Sequence, residues 1–281
     1  MKRKQGATGA DEDGGESDDS SLVNVDFEFF DPNPQIDYLA LKRLSNQLFQ
    51  GDAERLQIQD LADLILSQPL VGTTVKCDGR ESDPYAFLTV LNFHVHQNRP
   101  SIKALIEYLL SNSSSNPEFH STLQNLIGPT ALQSTNHVAF VFSERLINMP
   151  VQIVPPMYRM LADEIQWAID DNEPYRFTHL VFVTRVYRLS AEEAAELHSA
   201  TPRTKRNKGI SAPQGGGVFS FHPEDELIQK HASHVADYSF SSSEPREKDS
   251  FGLDVGGRMM LVPIENLPHL IKSFNETYAP P

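Results

Sequence analysis

Three runs govern what this chain can become: YAFLTVLNFHVH (85–96), HVAFVFSE (137–144) and FTHLVFVTRVYRL (177–189). Each is rich in the aromatic and β-branched side chains that suit an extended backbone. Each is also too short for a bilayer, which takes about 20 apolar residues. Leu180, Val181, Phe182 and Val183 are apolar in succession, so a strand there needs cover on both faces. Amphipathic segments between the runs can supply it. IDYLALKRLSNQLF (36–49) sets Leu41, Leu44 and Leu48 on one helical stripe, and IQDLADLILSQP (58–69) is a second helix stopped by Pro69. SIKALIEYLLSN and PEFHSTLQNLIG follow the first run as two short helices. PPMYRMLADEIQWAIDD (155–171) starts on two helix-compatible prolines and carries Met157, Leu161, Ile165 and Ala168 as its stripe. Strands and helices interleave, so the expected class is α/β, a mixed β-sheet flanked by helices.

The rest of the chain fits that frame. VNVDFEFFDPNP (23–34) alternates Val23, Val25, Phe27 and Phe29 with polar residues, which puts Asp26 and Glu28 on the outer face of an opening strand. GTTVKC (72–77), VFSFH (218–222) and GRMMLVPI (257–264) read as further strands. PEDELIQKHASHVADY (223–238) and NLPHLIKSF (266–274) read as helices. Residues 1–21 read as a disordered acidic tail, and 22–278 as one domain with flexible insertions at about 199–217 and 241–250.

Hydrophobic residues make up 39% of the chain, including 16 Phe, enough to build a core. The formal net charge is −14. The first 22 residues hold three cations against six acids, a balance of −3, which leaves −11 on the remainder. A body of that sign repels phosphate backbones and attracts basic partners, so direct nucleic-acid binding is not expected. Cys77 is the sole cysteine, which excludes an internal disulfide. With no apolar leader or spanning stretch, the reading is of a soluble intracellular chain without membrane insertion. Two basic clusters, Lys2, Arg3 and Lys4 at the start and Arg203, Lys205, Arg206 and Lys208 in the insertion, are candidate nuclear-localisation signals.

No catalytic, cofactor or metal constellation emerges. GGG (215–217) and GLDVGGR (252–258) both lead into strands, whereas phosphate cradles precede helices, so flexible turns are expected there. His94 and His96 share a face if the first run stays extended, but nothing nearby supplies a third ligand; His231 and His234 share one with Leu227 and Tyr238 if 223–238 stays helical, which reads as a half-buried helix edge. Cys77 reads as a small hydrophobe, and no GxSxG hydrolase elbow is present.

Three segments together resemble the BCCIP family: VNVDFEFFDP with the helix after it, ERLINMPVQIVPPMYRMLADEI (144–165), and RMMLVPIENLPHLIKSF (258–274). The resemblance runs along 22–276 and implies a fold like that of the GCN5-related acetyltransferases without their activity. In agreement, no Q/RxxGxG-type acyl-CoA turn occurs. The resemblance further implies a nucleus-to-cytoplasm shuttling escort of a basic large-subunit ribosomal protein, the universal fourteenth, for 60S assembly. It also implies a role in nuclear export of phosphatidylinositol-4-phosphate 5-kinase with nuclear transport receptors. The expected partner contacts are Asp26, Glu28, Asp163, Glu164, Asp170 and Asp171, with no cofactor. The competing expectation is an acyl-CoA-dependent acetyltransferase with a degenerate cofactor site in a cleft at splayed strands.

Overall fold

The computed structural model describes residues 26–68, 70–190, 193, 217–241 and 254–278. The acidic tail, both basic clusters and nearly all of the two insertions lie outside the described residues.

The elements in order are β1 (Glu28–Phe30), α1 (Tyr38–Phe49), α2 (Ile58–Leu66), β2 (Thr73–Lys76), β3 (Ala86–Asn92), α3 (Pro100–Asn112), α4 (Pro117–Ile127) and β4 (His137–Arg145). They continue with α5 (Val154–Asp170), β5 (Phe177–Leu189), β6 (Gly217–Ser220), α6 (Asp225–His231), β7 (His234–Ser239), β8 (Asp254–Pro263) and α7 (Leu267–Tyr278). All eight strands join one mixed sheet in the order β1-β2-β3-β4-β5-β8-β7, with β6 also on β5. The pair β4–β5 is parallel, and every other pair is antiparallel. A parallel pair needs a long crossover, and α5 provides it.

The apolar runs are covered on both faces, as their composition requires. Phe87 and Leu91 of β3, Phe140 and Phe142 of β4, and Val181 and Val183 of β5 point into one core. Their alternates Leu88, Val90, Ala139, Val141, Leu180 and Phe182 point into the other. Helices α1 to α4 seal the first core with residues such as Leu41, Leu44, Leu61, Ile102 and Phe119. Helices α5, α6 and α7 seal the second with Met157, Leu161, Ile165, Ile228 and Phe274. The α5 stripe read from the sequence is therefore the buried stripe.

Three expectations change. The first apolar run leaves the sheet at Asn92, whose side-chain oxygen accepts from the N–H groups of His94 (2.9 Å) and Val95 (3.2 Å) and turns the chain. His94 and His96 therefore do not share a strand face. The helix expected over 223–238 stops at His231; Ala232 adopts an extended ψ of 141°, and the chain re-enters the sheet as β7. The burial of Ala236, Tyr238 and Phe240 shows a period of two that the acidic helix start at 224–226 obscures. Gly256 and Gly257 are buried inside β8 rather than in a flexible turn. The Tyr238 ring of the neighbouring strand fills the space a Cβ at 257 would take.

Candidate functional site

Helix α5 turns its second side to solvent, and acids gather there. Asp163, Asp170 and Asp171 are exposed, and none forms an ion pair among the described residues. Asp170 accepts the Gln166 amide at 2.8 Å. Between them stands Trp167, 64% exposed. It is the one tryptophan of the chain. Positions three and four residues apart are neighbours on a helix, so Asp163, Asp170 and Asp171 all flank its ring. The sequence reading missed Trp167, although its position opposite the Met157–Leu161–Ile165 stripe marks it as outward-facing.

Glu164 departs from expectation. It is 7% exposed and accepts the Gly72 N–H at 2.9 Å and the Thr73 hydroxyl at 3.2 Å. It therefore ties α5 to the start of β2 and does not belong to the outer surface. Burial pushes its carboxyl above the usual range against those two hydrogen bonds, and the charges of Asp31 and Asp163 add to the rise. Asp31 follows β1 and is exposed. Asp26 and Glu28 are exposed at the sheet edge. Glu28 lies opposite Lys76 in the β1–β2 register, but the buried Lys76 ammonium donates instead to Asp37 (2.6 Å) and the Arg80 carbonyl (2.7 Å).

A second polar feature lies inside the sheet. Strand β5 pairs with β4 as far as Val141↔Phe182, and then with β6 from Val186↔Ser220, so its two neighbours on that edge part between 182 and 186. Charged side chains fill this fork. Glu144 accepts from Gln47 (2.7 Å), His222 (2.9 Å) and Arg185 (3.2 Å). Arg145 clasps both oxygens of Glu224, at 2.7 and 2.9 Å, and donates to the Met149 carbonyl at 2.6 Å. Burial alone would raise the Glu144 carboxyl, but the His222 hydrogen bond and the Arg185 charge outweigh it and hold Glu144 low. Asp225 goes the other way: burial, then the charges of Glu224 and Glu144, push it well up. The recess left between Tyr158, His222, Glu224 and Asp225 has room for little more than a water molecule. On residues that line it, His222 Nδ1 and Asp225 Oδ2 have no hydrogen-bond partner among the described residues.

The remaining sequence candidates do not converge. His94 is buried and stacks on His137 with ring centroids 4.8 Å apart. His231 meets Ser273, and His234 stacks on Phe119. No group of three His, Cys, Asp or Glu placed for a metal occurs among the described residues. Cys77 is half-buried, and burial pushes its thiol up.

Comparison with known proteins agrees with this architecture. The family model described as BCCIP matches residues 22–228. Protein bcp1 of Aspergillus oryzae is 42% identical over 99% of this chain and 96% of its own length. Protein bcp1 of Schizosaccharomyces pombe is 42% identical over 93% of this chain and 92% of its own. The crystal structure of BCP1 from Saccharomyces cerevisiae superposes with a TM-score of 0.61 at 29% identity, covering 93% of this chain and 92% of that one. With a matching family model over most of its length and full-length relatives at this identity, the chain belongs to the BCCIP family.

Proposed function

We propose that this protein is a non-enzymatic acidic escort. It binds a basic large-subunit ribosomal protein, the universal fourteenth, shields its charge, and releases it in the nucleus for 60S assembly. The observation that carries the reading is the set of outward carboxylates Asp163, Asp170 and Asp171, which form no ion pair among the described residues. Asp170 and Asp171 also sit at the C-terminal end of α5, where the helix dipole is already negative and the last turn holds no basic residue. Acids so placed cost the isolated protein stability and favour an incoming cation. RNA, with denser negative charge, would compete for the same basic face and drive release. Basic clusters at 2–4 and 203–208 would serve nuclear entry. Export of phosphatidylinositol-4-phosphate 5-kinase would use the same acidic surface with a different cargo.

An acyltransferase with a degenerate site would need the fork as its acyl-CoA cleft, in a sheet of the acetyltransferase type. Here Glu144, Arg145, Arg185, His222 and Glu224 fill the fork and bond to one another. That filling favours the escort. The test is titration of the purified ribosomal protein against this chain and against Asp163→Asn/Asp170→Asn/Asp171→Asn. Affinity that falls steeply with salt and weakens in the variant supports the reading; affinity indifferent to both rejects it.

A further inference from the structure

Trp167 stands among the exposed acids of α5. A lone exposed apolar residue needs no explanation, but this one is the largest apolar side chain available, and the acids flanking it form no ion pair among the described residues. The nearest exposed cations in sequence, Arg159 and Arg176, pair with none of the acids around it. An indole flanked by carboxylates at the negative end of a helix offers a π face and a negative field to one incoming group at once. Arginine satisfies both demands, because its planar guanidinium stacks on aromatic rings while pairing with carboxylates. Lysine, a compact and strongly hydrated charge, stacks less well.

We propose that the Trp167 face of α5, with Asp163, Asp170 and Asp171, is the docking surface for an arginine-bearing segment of the basic partner, and that Trp167 is its anchor. The proposal rests on the escort reading and deepens it. Anchors of this kind carry a large share of binding energy, whereas exposed rim charges mainly set the encounter rate and the salt dependence.

Because Trp167 is the sole tryptophan, its emission reports directly on the surface. The probes are octa-arginine and octa-lysine peptides, equal in charge, titrated into the full-length protein. Octa-arginine is expected to shift the emission and to bind more tightly than octa-lysine. Trp167→Ala weakens octa-arginine about tenfold by calorimetry, while Trp167→Phe keeps an aromatic face and retains most of the affinity. Circular dichroism confirms that both variants fold, as the exposure of the side chain leads one to expect. Salt-sensitive octa-arginine binding with unchanged emission and an unaffected Trp167→Ala variant overturns the anchor and leaves the escort reading standing. No salt-sensitive binding of either peptide overturns both. An emission shift that grows with protein concentration alone, without peptide, means that a second copy occupies the face and overturns the assigned partner.

Discussion

Arg145 and Glu224, 79 residues apart, meet in a two-pronged ion pair at 2.7 and 2.9 Å, both side chains almost fully buried. The pair joins the end of β4 to the residue just before α6, and so closes the fork in the sheet. Removing one partner of a buried pair strands the other charge. Arg145→Met is therefore expected to destabilise by about 3 kcal/mol in urea unfolding. The double variant Arg145→Met/Glu224→Leu recovers much of that loss, because no charge is left buried alone. A double variant as unstable as the sum of the two single variants would show that the two side chains act independently of each other.

The fork also predicts a pH dependence. Asp225 binds its proton far more tightly when folded, chiefly through burial and then through Glu224 and Glu144. The unfolded chain releases that proton near pH 4. The folded state thus holds more protons above this pH, and stability falls as pH rises toward the folded value of Asp225. Glu144, held low, contributes stability present above its unfolded value and lost as pH falls through its folded one. Asp225→Asn imitates the protonated acid, so its stability declines less with rising pH than that of the parent. Parallel urea midpoints across the series would contradict this assignment.

Glu164 and Asp163 are adjacent, yet their substitutions separate stability from binding. Glu164→Leu leaves the buried Gly72 N–H without its acceptor and costs about 2 kcal/mol, with little change in partner affinity. Asp163→Asn leaves stability nearly unchanged, since surface changes stay within about 0.5 kcal/mol, and weakens the partner. Thermal melts and a binding titration of the same two proteins check both halves.

Gly257 has no room for a side chain beneath Tyr238. The Tyr108 hydroxyl donates to Asp52 at 3.0 Å and lies 2.9 Å from the Tyr238 hydroxyl, so a displaced ring disturbs a buried network spanning β7, α3 and the turn after α1. Gly257→Ala is expected to cost about 2 kcal/mol by thermal denaturation. Gly257→Ala combined with Tyr238→Ala relieves the clash, so it loses less than the two single losses together.

These particulars show which layers of the structure the sequence exposes. The double-faced burial of β5 was legible because Leu180 to Val183 are apolar without a break, and α5 was legible from its stripe and its two prolines. The end of β3 was not, because a single side-chain oxygen on Asn92 turns the chain while the apolar run continues to Val95. The helix-to-strand switch after His231 was hidden by a strong acidic helix start, which sets where a helix begins and says nothing of where it stops. On the candidate surface, Asp163, Asp170 and Asp171 were readable from periodicity. Glu164 sits at the edge of the apolar stripe, where one step of helical rotation separates core from solvent. The ionic fork could not be read at all, since charge pairing between residues 79 apart leaves no local pattern.

The escort claim is tested most directly by purifying the tagged protein from its own nuclear extract at low and at moderate salt and identifying its companions by mass spectrometry. One basic large-subunit ribosomal protein recovered in near-equal amount, and lost as salt rises, is the predicted result. Recovery of no stoichiometric basic partner at either salt would contradict the account.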